Sequence, residues 1–244
     1  MNKLILGDNL EIMKTLESES VDLIYLDPPF FSNRDYEIIW GDEGEIRSFK
    51  DRWAGGIDHY IAWLKERVEM MHRLLKKTGS IFLHCDDHAN AYIRVDILDK
   101  KFGLKNFRSV ITWKRNSAHN DAKQGRKALG NISDTVYYYT KGGKHTFNQL
   151  YTPYTDTYVS DFYKYIDEDG RRYRLDNLTG PGGASKGNPE YEVMGITRHW
   201  RYSYAKMQKL IKEGRIIQTK KGTVPAYKRY LDEMPGVALG TVQK

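Results

Sequence analysis

The chain has 244 residues, 39 Lys+Arg against 32 Asp+Glu and a formal net charge of +7. That length supports a full hydrophobic core in one or two domains. A composition 29% charged and 40% hydrophobic excludes a disordered chain, and no uncharged apolar run approaches the ~18 residues a spanning helix needs, which argues against a membrane protein. The single cysteine, Cys85, excludes an internal disulfide framework. With an N-terminus that lacks the apolar stretch of a secretory signal, it points to a reducing, cytoplasmic setting.

The charge is unevenly spread. Residues 1–120 carry 18 basic and 19 acidic side chains, whereas residues 121–244 carry 21 basic and 13 acidic, with 14 of the 18 tyrosines. A half that is both basic and aromatic suits a polyanion with stackable bases, and a solvated basic surface over a tyrosine-rich core suits the same composition equally well.

In chain order, Lys3–Leu6 reads as a short strand ending at Gly7-Asp8. Residues 9–16 have helical spacing, with Leu10, Met13 and Leu16 on one side. Val21–Leu26 is almost continuously apolar and is stopped by Asp27-Pro28-Pro29, as suits a strand buried on both faces of a parallel sheet. Residues 57–77 carry the clearest helical stripe, closed by Lys76, Lys77 and Gly79. A strand at 80–84, a helix at 92–101 and strands at 110–113 and 135–139 complete a β-α-β-α alternation. The fold class expected is therefore α/β, a doubly wound sheet.

From about residue 150 the alternation fades. Gly180–Gly187 is a loop by composition, Ser203 caps a short helix to Glu213, and a strand follows at 215–218. The expected division is a sheet domain over residues 1–148 and an appended basic region over 149–244.

The chemistry concentrates at Asp27-Pro28-Pro29-Phe30, placed where ligands bind in open α/β sheets, at the carboxyl end of a strand. A nucleobase amine is a poor nucleophile because its lone pair delocalises into the ring. A carboxylate and a backbone carbonyl that each accept an N–H favour a more pyramidal nitrogen. Proline has no N–H and a fixed φ, so Pro-Pro makes a stiff turn that aims carbonyls, and an adjacent aromatic stacks on an extruded base. The plainer account is a strand that ends in a Pro-Pro turn.

Leu26–Phe30 resembles the motif of amino-directed DNA methyltransferases, the N6-adenine and N4-cytosine family. The resemblance extends to Leu6–Leu10, Ser20–Tyr25, Lys76–Asp86, Phe102–Arg115 and Asp134–Lys141, and to a target-recognition region at Arg198–Arg201 and Lys228–Met234. It implies a methyltransferase core (1–148) and a DNA target-recognition region (149–244), in the β-type motif order. It also implies transfer of a methyl group from S-adenosylmethionine to adenine N6 in double-stranded DNA, because Asp rather than Ser opens the motif. Asp27, Pro28, Pro29 and Phe30 take the site roles, and Asp8, His84 and Asp86 fall beside the cofactor. The family's Phe-x-Gly-x-Gly cofactor loop is missing from these 244 residues, and no apolar strand precedes Gly180–Gly187. The sheet is accordingly expected to be incomplete, in a truncated or split chain that does not methylate alone. Expected partners are DNA, a restriction subunit or a complementing C-terminal chain. The alternatives are a catalytically inactive DNA-binding remnant, an N4-cytosine enzyme, or transfer to RNA or protein.

Three further expectations concern single residues. His84-Cys85-Asp86-Asp87-His88 is too crowded for a closed zinc site, so no metal is expected. Cys85 lacks the preceding Pro of carbon-5 cytosine chemistry, and direct transfer to an amine needs no covalent intermediate. Arg34 and Arg52 suit phosphate contacts on a lip over the base, or an ordinary surface loop.

Overall fold

The computed structural model describes residues 2–31, 35–39, 46–50, 53, 55–115, 127 and 129–243, with the backbone alone at 35–39 and 46–50. Arg34 and Arg52 therefore lie outside the described residues. The chain divides into two compact units, residues 1–148 with 240–244, and residues 149–239. The last five residues thus belong with the first unit rather than with the basic region.

The first unit contains α1 (Asn9–Thr15), β1 (Val21–Leu26), an antiparallel pair β2 (Asp35–Ile39) and β3 (Ile46–Lys50), and α2 (Gly56–Leu74). There follow β4 (Leu75–Cys85), a helix α3 over residues 90–102 with a π-helical segment Ile93–Leu98, β5 (Phe107–Lys114) and β6 (Ser133–Thr140). Its main sheet has strand order β1-β4-β6-β5-β15, where β15 is Val242–Gln243. β1 runs parallel to β4, β6 is antiparallel to both β4 and β5, and β15 lies parallel to β5. The α/β class holds, and the sheet is mixed. Sequence alternation carries no direction, so the inversion of β6 had no signal in it.

Two expected boundaries move. Lys3–Leu6 forms no strand; Leu4 and Leu6 are fully exposed, because no neighbouring strand among the described residues receives their backbone hydrogen bonds. The stripe expected to remain helical to Lys77 turns extended at Leu75. Leu75 is fully buried there, the Lys141 ammonium donates to its carbonyl at 2.6 Å, and Lys76 pairs with Asp22 at 2.8 Å. Core burial of one leucine, worth about 1.5–3 kcal/mol, outweighs another half-turn of helix.

The core of this unit lies where Tyr60, Leu64, Val68 and Met71 of α2 meet Ile81 and Leu83 of β4, Ile93, Ile97 and Leu98 of α3, and Tyr137 and Tyr139 of β6. Asp8 caps α1, accepting from the Leu10 and Glu11 amides at 2.8 and 3.3 Å.

The second unit contains β7 (Tyr151–Thr152), α4 (Asp156–Phe162), β8 (Tyr165–Ile166), β9 (Arg172–Asn177), the hairpin β10 (Glu190–Val193) and β11 (Ile196–His199), α5 (Tyr204–Lys212), β12 (Ile216–Ile217), β13 (Ala226–Tyr230) and β14 (Val237–Ala238). Strands β12-β13-β9-β8 form an antiparallel sheet. Its small core is Leu178, Val193, Trp200, Met207 and Ile216, with the Trp200 indole donating to the Tyr191 carbonyl at 2.7 Å. The Ser203 hydroxyl accepts from Lys206 N at 3.5 Å at the start of α5, as its place before the helix implies.

Candidate active site

The motif Asp27–Phe30 leaves the sheet at the carboxyl end of β1. Pro28 is buried, Pro29 and Phe30 are half-buried, and Asp27 keeps 55% of its side chain exposed. A rigid, covered turn therefore presents one accessible carboxylate. Its anchor is Tyr60, fully buried on α2, whose hydroxyl donates to the Pro29 carbonyl at 2.6 Å. Pro28 and Pro29 contribute no N–H, and here the Pro29 carbonyl is held by a donor from elsewhere in the fold. The next residue, Phe31, sits at φ 61°, a left-handed conformation unusual for a large side chain, and its ring packs 5.5 Å from that of Tyr60. Trp53 and Trp63 pack beside Tyr60 at 5.1 and 6.2 Å between centroids, backing the turn with aromatic bulk.

His84, near the carboxyl end of β4, faces the motif. Its Nδ1 lies 3.2 Å from Asp27 Oδ1 and 3.4 Å from the Tyr25 hydroxyl, and its ring meets that of Phe30 edge-on at 4.9 Å. On its other side, Nε2 lies 3.4 Å from Asp134 Oδ2 and is buried without an aligned hydrogen-bond partner. Asp134, at the head of β6, is only 3% exposed; burial raises its carboxyl above the usual range, while Arg115 (3.3 Å away) and His84 oppose that rise. Burial, with the Asp27 and Asp134 carboxylates adding to it, raises the Tyr25 hydroxyl, so that group stays protonated and able to donate.

The remaining expected residues fall differently. Asp86 is buried and occupied by its own loop, accepting from the His88 amide at 3.0 Å and facing His88 Nδ1 at 2.7 Å. Asp87 accepts from Asn131 Nδ2 at 2.7 Å, so the compact group Asp86, Asp87 and His88 is accounted for by internal hydrogen bonds. Asp8 is the helix cap already described, and its Oδ2 lies 3.4 Å from Arg67 Nη2. Cys85 is buried, and desolvation together with the nearby Asp86 and Asp134 carboxylates pushes its thiol far up, leaving no thiolate for nucleophilic chemistry.

Tyr60, Tyr25, Asp134 and Arg115 were not singled out in the sequence. Tyr60 reads there as one more core residue in a helical stripe, and Asp134 as a polar residue before an apolar strand. Only the latter, an acid opening a strand buried on both faces, offered a signal.

In the second unit, the basic region expected to reach DNA, several arginines are committed within the fold. Arg171 pairs with Asp232 and Glu233, each at 2.8 Å, Arg174 with Asp176 at 2.9 Å, and Arg215 with Glu233. Arg171 and Arg215 also stack over the Tyr230 ring. Arg198 and Arg201 are exposed, with no ion pair among the described residues.

The family pattern of the N6/N4 methyltransferases, described as DNA methylase, matches residues 21–229. The Type III restriction-modification enzyme StyLTI Mod subunit of Salmonella typhimurium is 27% identical over 96% of this chain and 39% of its own length. The Type II methyltransferase M.BamHI of Bacillus amyloliquefaciens is 34% identical over 61% of this chain and 31% of its own length. The DNA adenine methyltransferase YhdJ of Escherichia coli is 31% identical over 59% and 43%. The chain thus spans well under half the length of these relatives. With a match running from the first sheet strand into the last strands of the second unit, this chain belongs to the N6/N4 DNA methylase family.

Proposed function

We propose that the chain carries the target-amine side of a DNA methyltransferase site and directs a methyl group from S-adenosylmethionine to adenine N6. The observation that carries this reading is the exposed Asp27 carboxylate on a turn whose Pro29 carbonyl is already held by Tyr60, with the half-buried Phe30 beside it. In this reading Asp27 and the Pro28 carbonyl accept the two amine hydrogens, Phe30 stacks on the extruded base, and the second unit holds the duplex. S-adenosylmethionine supplies, when bound, a methyl on a sulfonium centre. The residues present fit its reacting end, where a carboxylate, an imidazole and an aromatic converge. Among the described residues they supply that end only: both Asp86 oxygens face His88, while Asp8 caps α1 through Oδ1 and keeps 56% of its side chain exposed. Asp at the head of the motif, together with relatives that include an adenine methyltransferase, supports adenine over cytosine. The Mod-subunit relative supports a restriction subunit as a further partner.

One observation favours a second reading, in which the 244 residues bind DNA but transfer no methyl without a further protein surface. Leu4 and Leu6 are fully exposed, and on the edge strand β1 Leu23 and Tyr25 are 58% and 59% exposed. Labelled methyl transfer from S-adenosylmethionine to genomic DNA, with the wild-type chain and Asp27→Ala, tests both. Transfer by the wild type and none by Asp27→Ala, with DNA affinity within about twofold, supports the first reading. DNA binding without transfer supports the second, and full activity in Asp27→Ala removes Asp27 from the mechanism.

A further inference from the structure

Four side chains from adjoining strands form a row across one edge of the main sheet. In strand order they are Asp27 after β1, His84 on β4, Asp134 on β6 and Arg115 after β5, a sequence of carboxylate, imidazole, carboxylate and guanidinium. The successive separations are 3.2, 3.4 and 3.3 Å. Strand direction produces the row. β1, β4 and β5 end at this edge, whereas the inverted β6 begins there, so a residue that opens β6 stands beside residues that close its neighbours. The backbone fixes it, with Leu26 opposite Leu83 and Arg115 N donating to the Ile132 carbonyl at 2.9 Å.

The row is graded in burial, from Asp27 at 55% exposed through His84 at 15% to Asp134 at 3%. A half-exposed carboxylate on a freely rotating side chain populates several rotamers, and displacement by about 1 Å from the reacting geometry costs on the order of a hundredfold in rate. A ring nitrogen facing Oδ1 selects one orientation and leaves Oδ2 for the amine of the target. The ring is itself confined by the Phe30 edge, the Tyr25 hydroxyl and Asp134. A buried carboxylate is costly unless paired, and among the described residues Arg115 and His84 lie within ion-pair distance of Asp134.

We propose that His84 is a positioning residue for Asp27, and that Asp134, backed by Arg115, holds His84 in place. This rests on the methyltransferase reading for its purpose, though not for its geometry.

The test separates the two. Facing a carboxylate from each ring nitrogen requires a hydrogen on both, so in the full chain labelled with 15N-histidine, without donor or DNA, His84 gives a pair of slowly exchanging ring N–H resonances, identified by its loss in His84→Gln. It is expected in the wild type and is expected to move or vanish in Asp134→Asn. Its absence from the wild type, or its indifference to Asp134→Asn, overturns the proposal. In methyl transfer to DNA, His84→Gln and Asp134→Asn are each expected to lower kcat about tenfold or more, with KM for DNA within about twofold. Unchanged kcat in both variants overturns it as well. Arg115→Gln, at the 40% exposed end, loosens the same row without touching a buried site and replaces Asp134→Asn should that variant fail to fold. A wild-type chain that transfers no methyl contradicts the methyltransferase reading of the isolated chain, and the ring resonances, read in Asp27→Asn as well as in Asp134→Asn, then decide the positioning role alone.

Discussion

The Tyr60 hydroxyl, fully buried on the long helix, donates to the Pro29 carbonyl at 2.6 Å and so ties the Asp27–Phe30 turn to the hydrophobic core. The turn has few amides with which to restrain itself, because two of its residues are prolines. Rigidity at the site is thus supplied by a core side chain about thirty residues away in sequence.

Tyr60→Phe removes that bond. It is expected to cost about 0.5–1.5 kcal/mol of stability in denaturant unfolding, the range for one neutral hydrogen bond. Methyl transfer in a preparation that shows wild-type activity is expected to fall at least tenfold, with DNA affinity nearly unchanged. A loss of stability with no loss of rate would make Tyr60 a core residue only.

His72 supplies a pH dependence. Partial burial, together with Lys101 and Lys141, lowers its pKa from 6.5 to about 4, and its ring packs edge-on against Phe102 at 5.0 Å. Between these two values the unfolded chain binds more protons at this position than the folded one. His72 therefore contributes its full stability above about pH 6.5, and that contribution is lost as pH falls toward 4. Thermal unfolding of His72→Gln is expected to show a smaller drop from pH 7 to pH 4 than the wild type. Parallel pH profiles would count against it.

The second unit separates its cations into two classes. Arg198→Ala with Arg201→Ala is expected to weaken duplex binding at low salt. It should also reduce the slope of log affinity against log salt by about 2, one for each phosphate contact removed. Arg171→Gln breaks the pairs with Asp232 and Glu233. It should leave that slope unchanged and affect thermal unfolding instead. Fluorescence anisotropy at several salt concentrations separates these outcomes.

Trp200 is fully buried and its indole nitrogen is satisfied by the Tyr191 carbonyl. Trp200→Ala empties the centre of a five-residue core and is expected to cost about 3–5 kcal/mol, enough to unfold the second unit in a calorimetric scan. A near-native transition would show that this unit takes its stability from elsewhere.

The sequence by itself singled out Asp27–Phe30 as a candidate motif and placed most of the first unit's helices and strands along the chain. Asp27–Phe30 stands out because an apolar strand running into Asp-Pro-Pro-Phe is a chemical statement readable without coordinates. The stripe of α2 and the Ser203 cap follow from periodicity and from orphan amides, both local. What it did not determine was strand direction, and the rest of the site depends on that. β6 runs antiparallel between β4 and β5, and this alone brings Asp134 beside His84 and Arg115. Lys3–Leu6 has a strand's composition and no strand, because a strand exists only with a partner for its hydrogen bonds. The basic second half was legible as charge, but which arginines are spent on Asp232, Glu233 and Asp176 was settled by tertiary contacts. Local patterns encode local conformation, whereas pairing partners, and with them the surroundings of Asp27, are set by which strands lie next to each other.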